Sequence, residues 1–253
     1  MRGRWISLSL PRRFLGDLLH FSAQIPSIPV QRRMALADVV AARAAVANRP
    51  CWPAVFLKAY SQVSDELPLL RRAYVRIPWA HLREYPSSIA SIAVERAYDG
   101  EPCVFFGRIK NPARLPLHEI HTRIREFAEE PIHSVRYFRR MLAFANLPGP
   151  LRRALFWLGL NLPRNRPSFV GTFGLSVYSS LGAESLHPLS PLTTTLNYGT
   201  IDRDGNVWVR LIYDHRVFDG ATAARALARL EDVLNGPILA ELRDIARTSQ
   251  AAA

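Results

Sequence analysis

The sequence predicts an α/β fold, a mixed sheet flanked by helices. Three observations predict it. Apolar residues recur at helical spacing in several segments of the first half. Strand-like runs meet at Asp99-Gly100 and Asp204-Gly205, a dipeptide that favours hairpin turns. The C-terminal third then reads as three strands followed by a helix.

The chain opens on MRGRWISLSLPRRF, which is basic but lacks the long apolar stretch of a signal peptide. Phe14 to Phe21 reads as a short helix, and Pro26 with Pro29 forces an extended passage. Leu36 to Ala47 and Pro53 to Glu66 read as helices. The second presents Val55, Phe56, Ala59, Tyr60 and Val63 on one face, which marks it for burial. SIASIAVERAYDGEPCVFFGRI, from Ser88, reads as two strands about the Asp99-Gly100 turn, and Leu117 to Glu129 as an amphipathic helix.

Val135 to Leu162 mixes bulky apolar residues with five arginines around Pro148-Gly149-Pro150, and predicts two short helices joined by a turn. Such a pair either packs as an insertion with its arginines in solvent, or lies on a membrane surface or along an acyl-chain channel. Strands are expected at Phe169 to Tyr178, Thr193 to Ile201 and Asn206 to Tyr213. A helix follows from Ala221 to Leu234, stopped by Gly236-Pro237, with a second short helix beyond. No composition break marks a linker, so residues 1–253 are expected to form one domain with a basic apolar helical insertion at about 135–162.

Composition narrows the function. The 253 residues are 49% hydrophobic and 10% aromatic, which excludes a disordered chain. Lys plus Arg number 33 against 21 Asp plus Glu, a net charge of +12 carried almost wholly by arginine. That field attracts anions, although arginine richness also follows genome base composition. No nucleic-acid-binding module is recognisable, so nucleic acid is not an expected partner.

Cys51 and Cys103 form no CxxC pair, so neither a disulfide framework nor a zinc site is suggested, and a reduced cytoplasmic setting is expected. No segment has the apolar length of a spanning helix. LHEIHT places His118 and His121 three apart, not at HExxH spacing, and reads as a solvated helix face; no metal is expected. GxxxxGK[ST] and GxGxxG are absent.

YDHRVFDG, Tyr213 to Gly220, joins the last strand to the helix after it. Asp219 stands where a helix N-cap belongs, and by itself the stretch can be a capped polar turn with an incidental histidine. Gly220 permits close backbone packing, and Ala221, Thr222, Ala223 and Ala224 keep the first helical turn small. Histidine is the side chain best suited to move a proton near neutral pH, so a general base at this mouth is the second reading.

LIYDHRVFDGATAARALARLEDVL resembles the C-terminal signature of the acyltransferase subunits of 2-oxoacid dehydrogenase complexes, DHRxxDG, and is similar to the HHxxxDG of chloramphenicol acetyltransferase. GTFGLS, PLSPLTTTLNYGTI and PRRFLGDLLHFSAQIPSI resemble further blocks of the same family, in the same order. The resemblance implies a chloramphenicol acetyltransferase-like fold and acyl transfer from a CoA or lipoyl thioester to a thiol, hydroxyl or amine.

It implies His215 as the base that deprotonates the thiol and Ser176 as the hydroxyl that donates to the oxyanion, with Ser179 or Ser180 taking that role if the register slips. It implies Asp219 as a structural carboxylate paired with Arg12 or Arg13. Coenzyme A is the implied substrate carrier, the chain holds no lipoyl group, and a homotrimer, by itself or within a larger shell, is the implied assembly. The lipoyl and subunit-binding segments of such acyltransferases have no counterpart here. The other function class is an inactive oligomeric scaffold or a membrane-peripheral protein acting through Val135 to Leu162.

Overall fold

The computed structural model describes residues 3–177 and 182–251. In chain order the elements are α1 (Leu10–Ser22), β1 (Ser27–Ala35), α2 (Ala37–Ala44), α3 (Trp52–Glu66), β2 (Arg72–Val75), β3 (His81–Glu84), β4 (Ile89–Tyr98) and β5 (Glu101–Lys110). Then come α4 (Leu117–Glu129), α5 (Arg136–Ala145), α6 (Gly149–Asn161), α7 (Arg166–Phe169), β6 (Phe173–Leu175), β7 (Thr194–Tyr198), β8 (Asn206–Asp214), α8 (Gly220–Val233) and α9 (Leu239–Ala251).

Six strands make one mixed sheet in the order β1-β8-β7-β6-β4-β5. β6 runs parallel to β4 and β7, and the other pairs are antiparallel. β7 is buried along its whole length, as a central strand must be. The apolar stripe expected on the second core helix covers it: Phe56 of α3 stacks on Tyr198 at 4.1 Å, and Tyr60 donates to Thr194 Oγ1 at 2.8 Å. At the β4–β5 turn Asp99 and Gly100 both take positive φ, as the dipeptide predicted. Gly205 also needs its glycine, because a Cβ there would meet Ala37 Cα at 2.5 Å and φ is +80°.

One local expectation is sharpened and three change. The passage after Pro26 is an edge strand, β1, in register from Ser27↔Asp214 to Ala35↔Asn206. A proline is tolerated there because only one side of an edge strand must bond. The strand expected from Phe169 shrinks to Phe173–Leu175, since Arg166 and Pro167 open a helical turn and Gly171 breaks out of it at φ +103°. β2 and β3 form a separate two-stranded sheet that the periodicity did not indicate. Gly236-Pro237 does not end the C-terminal helix: Leu234–Ile238 form a π-turn that leads straight into α9. The wider turn absorbs the hydrogen bond that proline cannot donate.

Residues 135–162 form the two expected helices, α5 and α6, and they pack against α1. Phe14 meets Phe144 and Phe156 edge-on or tilted at 5.9 and 5.6 Å. Arg139, Arg140 and Arg153 are exposed, but Arg152 is not a solvent arginine. Its Nε pairs with Asp17 of α1, whose side chain is 3% exposed. Its Nη1 donates to Ala145 O and Leu147 O, which closes the C-terminal end of α5. Among the described residues no helix is long and apolar enough to cross a membrane.

Breaking a buried ion pair strands a charge, at a typical cost of about 3–5 kcal/mol. Arg152→Ala leaves Asp17 only the exposed Arg153 at 3.3 Å, and with the α5 carbonyls also unmet it should lower the urea midpoint, whereas Arg125→Ala, which breaks the exposed pair with Glu129, should leave it in place. Equilibrium urea unfolding of both variants checks this.

Candidate active site

β8 brings the strand VWVRLIYD to the loop His215–Asp219, and α8 starts directly after it. Several anchors hold this loop. Asp214, 2% exposed, receives Arg216 Nε on Oδ1 at 2.9 Å and Nη2 on Oδ2 at 2.7 Å. The backbone N–H of Arg216 adds a third bond to Oδ1 at 3.0 Å. Beneath, the guanidinium lies 4.5 Å from the Tyr74 ring, which ties the loop to the small β2–β3 sheet. Tyr213 stacks on Phe218 at 5.0 Å. A Cβ at Gly220 would stand 3.2 Å from Tyr213 Oη, so the glycine lets α8 begin against that ring.

His215 sits between these anchors. Its backbone N–H donates to Pro26 O at 3.1 Å, while its side chain is 41% exposed. Nδ1 lies 3.5 Å from Asp219 Oδ1, an ion-pair contact when the ring is protonated. A rigid backbone thus presents an accessible imidazole.

Asp219 occupies the N-cap by its backbone: its carbonyl accepts from Thr222 and Ala223 at 3.0 and 3.2 Å, but its carboxylate makes no capping bond and is 84% exposed. The arginines that the family resemblance pairs with it are engaged elsewhere in the chain. Arg12 Nε donates to Glu101 Oε1 at 2.6 Å, and Arg13 Nε to Leu8 O at 3.1 Å. The topology explains this. α8 packs on β1 and β8, α1 on β5, and four strand spacings of ~4.8 Å separate β8 from β5. The buried carboxylate of the loop is Asp214, and its arginine stands two residues on, inside DHR itself.

Ser176 directly follows β6. Its carbonyl accepts from Asn197 Nδ2 at 2.5 Å, and its N–H donates to Leu196 O at 3.2 Å. Asp214 N–H instead bonds Thr193 O, at the opposite end of β7. Thr193 and Asn197 are four residues apart, ~13 Å at ~3.3 Å per residue, with β6 on one side of β7 and β8 on the other. One chain therefore does not bring His215 and Ser176 within hydrogen-bond reach. Ser179 and Ser180, the alternative donors, lie outside the described residues.

Ser176 lines a cavity of about 250 Å³ between α1 and the sheet. Phe14, Leu15, Leu18 and Leu19 of α1 roof it, and Ser91, Phe106, Arg108, Gly174 and Thr195 are on its floor and walls. His121, one of the two histidines in LHEIHT, accepts the Cys51 N–H on Nδ1 at 3.1 Å and so is structural. Among the described residues no cluster of three or more His, Cys, Asp or Glu is placed to hold a metal ion. Both cysteines are free, and burial pushes the Cys51 thiol up, away from the reactive thiolate.

Removing the loop's internal cation should be costly and removing Asp219's charge should not. Arg216→Ala is expected to lose about 3 kcal/mol or more by stranding Asp214. Asp219→Asn is expected to stay within about 0.5 kcal/mol of the parent. Guanidinium unfolding followed by tryptophan fluorescence separates the two.

No protein-family model matches the chain, and no curated protein sequence does. Solved structures do. A dihydrolipoamide acetyltransferase from Azotobacter vinelandii, studied for the role of a serine, a histidine and an asparagine in its mechanism, superposes with TM-score 0.69 at 19% identity over 94% of both chains. A probable dihydrolipoamide acetyltransferase from Listeria monocytogenes gives 0.65 at 19%, over 92% of this chain and 94% of that one. A chloramphenicol acetyltransferase gives 0.52 at 14%, over 90% and 98%. The mixed sheet and its flanking helices thus have the fold of the catalytic domains of 2-oxoacid dehydrogenase acyltransferases and of chloramphenicol acetyltransferase.

Proposed function

We propose that the protein is an acyltransferase that moves an acyl group from a CoA or lipoyl thioester to a thiol, hydroxyl or amine. The observation that carries this reading is His215: an accessible imidazole on a loop whose backbone is fixed on both sides of it. The fold likeness supports it. So does the spacing in the Azotobacter protein, where the histidine and asparagine stand four residues apart, as His215 and Asp219 do here.

In this reading neutral His215 removes the proton of the attacking thiol, hydroxyl or amine, and the nucleophile adds to the thioester carbonyl. The tetrahedral oxyanion accepts a hydrogen bond from the Ser176 hydroxyl. Collapse expels the thiolate, which takes the proton back from the imidazolium, so His215 ends neutral. Because Ser176 and His215 lie apart within a chain, the reading requires a neighbour's Ser176 beside His215, and a homotrimer, alone or in a larger shell, provides it.

His215→Ala should lower the rate of thiol release from acyl-CoA about 10²–10⁴-fold, and Ser176→Ala about 10²–10³-fold. Co-refolding the two inactive variants should restore about a quarter of the parental rate, because random assortment leaves that share of interfaces with both groups intact. No recovery in the mixed oligomer, or full activity of His215→Ala, would sink the mechanism.

A second reading has its own observation. Leu151, Leu155, Leu158 and Leu162 form a stripe along one face of α6 and its end, each at least 37% exposed. A membrane-peripheral contact would use that face. Co-sedimentation with anionic vesicles, lost in Leu155→Ser with Leu158→Ser, is the expected outcome there; no sedimentation of the parent rejects it.

A further inference from the structure

The floor of the cavity under α1 is a straight row across four strands. Arg108 pairs with Ser91, Ser91 with Gly174, and Gly174 with Thr195. All four residues line the cavity. Most of its remaining wall is apolar, yet two polar atoms in this row are buried without a partner: Arg108 Nε and Thr195 Oγ1. The neighbouring threonines are satisfied, Thr193 by Arg72 O and Thr194 by Tyr60. Thr195 alone of the three faces the cavity. Gly174 keeps its surroundings clear, since a Cβ there would stand 3.2 Å from Thr195 Oγ1 and 3.0 Å from Leu192 Cδ1.

Among the described residues Arg108 makes no ion pair. Its Nη1 donates to Ser168 O at 2.9 Å, and its guanidinium lies 5.4 Å from the Tyr137 ring. Among the described residues no carboxylate acts on it, and burial pushes it down to about 10. A half-buried guanidinium whose Nε has no partner is a strong receptor for a carboxylate, which it can hold through two parallel bonds once the side chain turns that edge to the cavity. The cavity far exceeds the ~10–15 Å³ that one water needs, so an organic group fits beside it.

We infer that this cavity selects an acyl group whose far end carries a carboxylate, bound by Arg108 and Thr195, with the aliphatic stretch between its two ends under Phe14, Leu15 and Leu18. The inference rests on the acyl-transfer reading, because a carbonyl oxygen at Ser176 leaves the rest of the acyl chain in this space. Ser176 lies two residues along the strand from Gly174, ~7 Å, and Arg108 two strand spacings across, ~10 Å. A short dicarboxylic chain spans what the long arginine side chain leaves.

The test is calorimetric binding to the intact oligomer without turnover, so its result is independent of whether acyl transfer is observed. The probes are monomethyl adipate, with one carboxylate and one ester carbonyl, and neutral dimethyl adipate. The unmodified protein should bind the monoester at least tenfold more tightly. Arg108→Leu should abolish that preference, Arg108→Lys should keep part of it, and Thr195→Val should weaken monoester binding several-fold. Equal binding of the two probes to the unmodified protein overturns the inference even if no Arg108 variant folds, and unchanged monoester affinity in a folded Arg108→Leu overturns it as well. Measured thioester turnover with equal probe binding leaves the acyltransferase reading intact and removes only this one.

Discussion

A carboxylate at the end of a buried strand has to be met by a cation, and Asp214 is met by Arg216. The pair folds DHR back on itself, so the backbone between the partners has little freedom left. That backbone carries His215. The same arginine rests on Tyr74, Asp214 is in register with Ser27, and Thr193 receives the Asp214 N–H. The small β2–β3 sheet, the edge strand β1 and the central strand β7 therefore all converge on one charge pair. The position of the imidazole is a consequence of that convergence.

The arginine excess acquires a structural meaning from the same chemistry. Arg96 donates to Phe127 O and Glu130 O, both at 2.8 Å, and closes the end of α4. Arg152 does this for α5, and Arg166 joins Leu160 O to Pro191 O. Helix ends leave carbonyls without intrahelical donors, and a planar fork can serve two of them at once. A share of the arginines is thus committed to closing helices and loops, a structural role alongside their charge.

Long periodic elements were legible in the sequence because local pattern and tertiary burial agree in them. Leu117–Glu129 has the predicted bounds, and Trp52–Glu66 starts one residue earlier than expected, at the residue before Pro53. The β4–β5 hairpin follows from Asp99-Gly100 in the same way. What pattern could not supply was long-range: β1 has no alternation, being an edge strand defined by its partner β8, and the π-turn at Pro237 depends on the packing of Leu234 and Ile238. Around His215 the strand, loop and helix were legible because they are contiguous there. The carboxylate expected to need a cation was Asp219, with Arg12 or Arg13; the buried one is Asp214, and Arg216 stands two residues on from it. Arg108 carried no signal at all, since only the register across β4, β6 and β7 sets it in line with Thr195.

The contact between Asp17 and Arg152 has a bearing on more than stability. Asp17 belongs to the helix that roofs the cavity, and Arg152 fastens that roof to α6. A substitution at either residue touches no part of the cavity's lining, yet it frees the element that sets the cavity's height. The height of the cavity and the stability of the fold are then coupled: a change at the latch moves both.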